Sequence, residues 1–158
     1  MESWAIARAL HVLGVIFWIG GVAMVTTVLL PAVSAFRSAG DRVAFFDRVE
    51  RRFALQSRYS TLLVGATGFY LVHALSLWSR FSDYRYWWMH AMVCVWALFT
   101  VMLFVLEPLF LHRWLSDRAR RDDEGTFRLV MRLHRVLLAL SVVTAAGAVA
   151  GVHGLLIP

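Results

Sequence analysis

The sequence predicts an all-α integral membrane protein, a four-helix bundle running up, down, up and down with both termini on the non-cytoplasmic side. Three observations carry this expectation. Of the 158 residues, 60% are hydrophobic and only 16% charged, too little polar sequence to coat a soluble domain. Four apolar stretches, about 4–31, 53–78, 86–111 and 129–157, each exceed the roughly 20 residues a helix needs to cross a hydrocarbon core. The third observation is the placement of the basic residues.

All 16 basic residues are arginine. Of these, 13 lie in or beside two loops: Arg37, Arg42, Arg48, Arg51, Arg52 and Arg58 after the first stretch, and Arg113, Arg118, Arg120, Arg121, Arg128, Arg132 and Arg135 before the fourth. Arg8, Arg80 and Arg85 fall near the opposite side. Loops rich in Lys or Arg stay cytoplasmic, so both long loops are placed inside. The net charge of +6 therefore reads as topology; no aromatic-basic face accompanies it, which argues against nucleic acid.

The elements follow in order as one domain, 1–158. Inside lipid only helices and closed barrels satisfy their backbone, and the runs are continuous rather than alternating, so they are helices. The first ends at Pro31. Ala32-Val33-Ser34-Ala35 loosely resembles a signal cleavage site, but the apolar run is longer than a signal core and Met1-Glu2-Ser3-Trp4 has no basic cluster, so a retained helix is expected. Val43, Phe45, Phe46, Val49 and Phe53 recur at near-helical spacing across Arg42–Arg52 and predict a surface helix leading into the second span. A short polar hairpin, Ser79–Arg85, joins spans two and three. Arg120-Arg121-Asp122-Asp123-Glu124-Gly125 reads as a solvated charge run. The short connections make an antiparallel bundle the default. Gly14, Gly20, Gly21, Gly65, Gly68, Gly147, Gly151 and Gly154 are positions where helices, a flat ligand or a second copy of the chain can approach closely. Cys94, the one cysteine, excludes an intrachain disulfide and a thiolate cluster; it reads as a small buried hydrophobe.

All six histidines lie in or at the edges of the spans, where ionisable groups are rare and point to function. The topology sorts them by depth. His11, His73, His90 and His153, one on each helix, share the outer level, while His112 and His134 lie together at the cytoplasmic edge. Neutral imidazole is a common metal ligand and binds haem iron axially. At about 100° per residue, Trp4, His11, Gly14, Trp18 and Gly21 share a broad face of span one, offering a ligand, a gap and aromatic walls. His90 on span three can face it, and His153 stands between Gly151 and Gly154. The competing reading makes the histidines interfacial anchors, like Trp and Tyr; it weighs most on His112 and His134, beside Arg113 and Arg135. Glu107, the one acidic residue well within a span, is either a proton- or quinone-binding carboxylate or half of an ion pair with Arg58 or Arg52. With His112 and His134 it forms a candidate second site.

Leu10-His11-Val12-Leu13-Gly14-Val15-Ile16-Phe17-Trp18-Ile19-Gly20-Gly21 resembles the first helix of the copper-resistance D (CopD) superfamily and of the related HemJ-type protoporphyrinogen oxidases. Arg51-Arg52-Phe53 and Thr67-Gly68 also fit, and Trp87-Trp88-Met89-His90-Ala91-Met92 through Glu107-Pro108-Leu109-Phe110-Leu111-His112-Arg113-Trp114 is similar to an uncharacterised bacterial inner-membrane subgroup. The resemblance covers spans one and two, and the rest as topology. It implies a bacterial inner-membrane location and a haem b protein in which His11 matches the important first-helix histidine. HemJ-type members also use a third-helix lysine; this chain contains none and carries His90 near that position, which suits bis-histidine ligation. The CopD side implies periplasmic copper handling, with Met89 and Met92 near the outer histidines.

These observations lead to one expectation and two alternatives. The first is a haem b membrane protein with a redox role, possible haem-dependent oxidoreductase activity, His11 and His90 as ligands with His153 next, and a quinone or periplasmic protein as partner. The alternatives are a copper-handling protein and a non-catalytic assembly subunit of a respiratory complex.

Overall fold

The computed structural model describes residues 3–34, 39–111, 114, 117, 118 and 121–154. His112 and the last residues of the expected fourth span, 155–157, lie outside the described residues. What is described is helical, with no strand among these residues.

Helix α1 runs Ser3–Ser34, with a π-helical section at Val25–Leu29. There the Leu30 N–H reaches back five residues to the Val25 carbonyl, and the Thr26 and Thr27 hydroxyls donate to Val22 and Ala23 at 2.7 and 2.8 Å. Hydroxyl competition of this kind loosens the helical ladder. Helix α2, Ala39–Ala74, is one unbroken helix of 36 residues, about 54 Å long at 1.5 Å per residue. The expected surface helix and second span are therefore continuous, since neither glycine nor proline falls between Gly40 and Gly65 to interrupt them. Ser76 in the left-handed region closes α2, ahead of the expected boundary at Trp78.

Two 3₁₀ turns, Leu77–Ser82 and Tyr84–Tyr86, form the hairpin. Between them the Asp83 carboxylate accepts from the Arg85 backbone and guanidinium, and the guanidinium holds this carboxyl below its ordinary range. Helix α3 is Trp87–Val101, continued by a π-helical stretch, Met102–Leu111, that contains Pro108. Helix α4 is Asp123–Val152. Its N-cap is Asp122, whose side chain accepts from Gly125 N at 2.8 Å, so part of the charge run is a helix start. Gly154, at φ 90°, ends it.

Among the described residues three helices are long and apolar enough to cross a membrane: Ser3–Ser34, Tyr84–Phe110 and Glu124–Val152. Helix α2 is not among them; Arg58 and the hydroxyls of Ser57, Ser60, Thr61 and Thr67 interrupt its apolar run. The radial distribution of side chains inverts that of a soluble protein. Large apolar residues such as Ile16, Phe17, Leu62, Leu109 and Val143 are exposed, whereas Thr26, Ser57, Ser60, Thr61, Thr67, Ser141 and Thr144 are buried. Small hydroxyl residues between helices and large apolar ones outside are what lipid contact selects.

The core draws on every long helix: Trp18 and Val22 from α1, Val64 from α2, Phe99 from α3 and Leu137 from α4. Trp18 and Phe99 meet edge to face, with ring centroids 4.9 Å apart. Helices α1 and α2 are antiparallel in a register set by Tyr70 donating to Ser3, His11 beside Val64 and Thr67, and Gln56 donating to the Phe17 carbonyl.

Candidate functional site

The site is built from one turn of α1 and the α2 turn that faces it. His11 is half-buried, and its Nδ1 lies 3.1 Å from both the Val64 carbonyl oxygen and the Thr67 hydroxyl oxygen. The carbonyl only accepts, and the Thr67 hydroxyl sends its own proton to the Leu63 carbonyl at 2.6 Å. The shared proton therefore belongs to Nδ1, and Nε2 keeps its lone pair. Among the described residues Nε2 has no hydrogen-bond partner. Gly68 makes the approach possible: a methyl group there would stand 3.1 Å from His11 Cε1. An imidazole whose Nδ1–H is fixed by a helix carbonyl, with Nε2 free, is oriented as a metal-binding histidine is oriented by its outer-shell partner.

Of the other three histidines expected at that level, two bond backbone carbonyls nearby in the chain. His90 is exposed, donates from Nε2 to the Phe81 carbonyl at 3.0 Å and stands edge-on to the Phe81 ring. His153, exposed at the end of α4, bonds the Val149 carbonyl through Nδ1 at 2.8 Å, and among the described residues its Nε2, like that of His11, has no hydrogen-bond partner. His73 is exposed on the last turn of α2. No hydrogen bond joins any two of these four among the described residues, and no group of three His, Cys, Asp or Glu stands where it could hold a metal ion.

Most of the glycine gaps are filled by side chains. Gly14 lies against Val64 and Leu63, Gly21 against Phe53, Gly65 against Trp96, Gly147 against Trp87 and Gly151 against Trp88. Trp96 also donates to the Thr61 carbonyl at 2.9 Å. These glycines serve helix packing; Gly68 alone opens onto a histidine. Trp18, two turns below His11 on α1, is in the core instead of lining a gap.

At the other end, Arg58 and Glu107 pair at 3.2 Å, as the sequence expected. Sequence reasoning missed the second bond, from Arg58 Nε to the Leu103 carbonyl at 3.3 Å. In a stretch wound from residue i to i−5, position 108 would donate to Leu103; Pro108 has no N–H, and the guanidinium takes that place. Pro108 inside a span was the visible signal. His134 bonds the Val130 carbonyl of its own helix through Nδ1, and His112, the other histidine of the candidate second site, lies outside the described residues. An open groove of about 480 Å³ separates α1 from α4 near Pro31 and Arg135.

Comparison with models of known families, curated proteins and solved structures finds no match.

Proposed function

We propose that the chain is a four-span haem b membrane protein of the bacterial inner membrane with a redox role, and that His11 would hold the haem near the non-cytoplasmic side. The observation that carries this reading is the pose of His11, with Nδ1–H committed to Val64 and Thr67 and the Nε2 lone pair uncommitted. Val64 and Thr67 orient the ring, and Gly68 leaves room for it. His153 offers a second lone pair from the same tautomer, whereas His90 would first have to release the Phe81 carbonyl.

When bound, haem b supplies a one-electron couple, exchanged here with a quinone or a periplasmic protein. The donor chemistry of His11 fits that group, while the filled glycine gaps add no slot for it. The resemblance of the first helix to CopD and HemJ-type proteins supports the same choice of histidine.

Support for the fourth span comes from α2 lying antiparallel to α1 from Tyr70 to Phe53, and from the neutralisation of its one interior charge by Glu107. The arginine bias places both termini outside. Copper handling has less support, because Met89 is buried while its neighbour His90 is exposed, so the two point away from each other. One observation favours a non-catalytic assembly subunit: aromatic and aliphatic side chains fill the glycine gaps.

The test is a pyridine haemochrome measurement on the protein purified in detergent from haem-replete cells. Near-stoichiometric haem b, lost in His11→Ala with the protein still folded, is the expected result. Haem-free wild-type protein would overturn the reading in favour of the assembly role, or of copper if the metal co-purifies.

A further inference from the structure

Three polar atoms in the middle of the bundle have no partner among the described residues: Trp18 Nε1, Ser57 Oγ and Thr61 Oγ1. Their residues are 4, 2 and 0% exposed, so neither solvent nor a lipid headgroup reaches them. Ser57 and Thr61 are one turn apart on the same face of α2. The antiparallel register brings Trp18 opposite them, because Phe17 bonds Gln56, Gly14 meets Val64 on one side and Gly21 meets Phe53 on the other. The Ser57 carbonyl, one turn before Thr61, already accepts from the Ser60 hydroxyl at 3.1 Å.

One indole donor and two hydroxyls at one level of the bundle, with no side chain to answer them among the described residues, match the partner set of a buried water, which takes two to four polar neighbours. We propose that an ordered internal water is bound here, accepting from Trp18 Nε1–H and bridging the Ser57 and Thr61 hydroxyls. The water accepts two protons and donates one, and each of the three groups then has a partner. The site does not depend on haem.

The experiment is hydroxyl-radical footprinting by X-ray radiolysis of the full chain in detergent, in which radicals form at bound waters. Trp88, 3% exposed, is the control for burial alone. The expected result is oxidation of Trp18 several-fold faster than Trp88, falling to the Trp88 rate in Ser57→Ala/Thr61→Val and retained in Thr61→Ser. Equal rates for Trp18 and Trp88 in the wild type would overturn the proposal without recourse to any variant. So would a rise in melting temperature for Ser57→Ala/Thr61→Val, because removing dry, unpaired hydroxyls stabilises a core whereas removing water-bridged ones does not.

Discussion

Arg58 makes two bonds to α3, and both trace to the sequence Glu107-Pro108. The carboxylate neutralises the guanidinium, and the proline leaves the Leu103 carbonyl for the same side chain to cap. With relative exposures of 32 and 26%, neither side chain is fully desolvated. Glu107→Gln is therefore expected to lower stability by about 1–2 kcal/mol, less than the roughly 3–5 kcal/mol lost when a fully buried pair is broken. Arg58→Met combined with Glu107→Gln should recover part of that loss, because no charge is then left without its partner. Thermal unfolding in detergent checks both, and equal stability of Glu107→Gln and wild type would remove the pair from the account. At this scale the sequence was informative where a charge had to be neutralised: it offered Arg58 or Arg52 as partners for Glu107, and the structure pairs Arg58. It named Thr67 only within a resemblance and gave no sign of its contact with His11, because a hydroxyl that bonds its own helix and also accepts from a histidine 56 positions away leaves no local pattern.

The elements were legible in existence and less so in their ends. Length and apolarity show α1, α3 and α4. The join between the amphipathic stretch and the second span could not be placed, because helix propensity stays favourable throughout and nothing there ends a helix. The glycines show how far pattern reading goes. Spacing marked Gly147 and Gly151 as contact positions, and the structure supplies the partners, Trp87 and Trp88. A Cβ at Gly151 would stand 2.5 Å from the Trp88 ring. Overpacking of that kind costs about 1–3 kcal/mol, so Gly151→Ala should lower the melting temperature, whereas Gly20→Ala, with nothing within 4 Å, should leave it unchanged. Matching stabilities for these two variants would mean that α3 and α4 are not locked through these indoles.

At the scale of the whole molecule, the sequence was sufficient for the inside-out character and the arginine asymmetry, since both depend on composition by segment. Whether the histidines converge was not legible. That depends on how each helix is rotated about its axis, and helices apolar on nearly every side carry little amphipathic signal to set the rotation. Four histidines assigned to one side are therefore compatible with a shared centre and with four separate contacts, and the register sets His11, beside Val64 and Thr67, about two turns along α2 from His73. Among the described residues only His11 bonds a neighbouring helix; His90 and His153 bond near their own positions in the chain.

The central claim, that His11 presents Nε2 to a haem, is tested most directly by the reduced-minus-oxidised visible spectrum of the purified protein beside its His11→Ala, His90→Ala and His153→Ala variants. The account predicts a sharp b-type α-band that disappears in His11→Ala and in one of the other two variants. A band that survives unchanged in His11→Ala would contradict it.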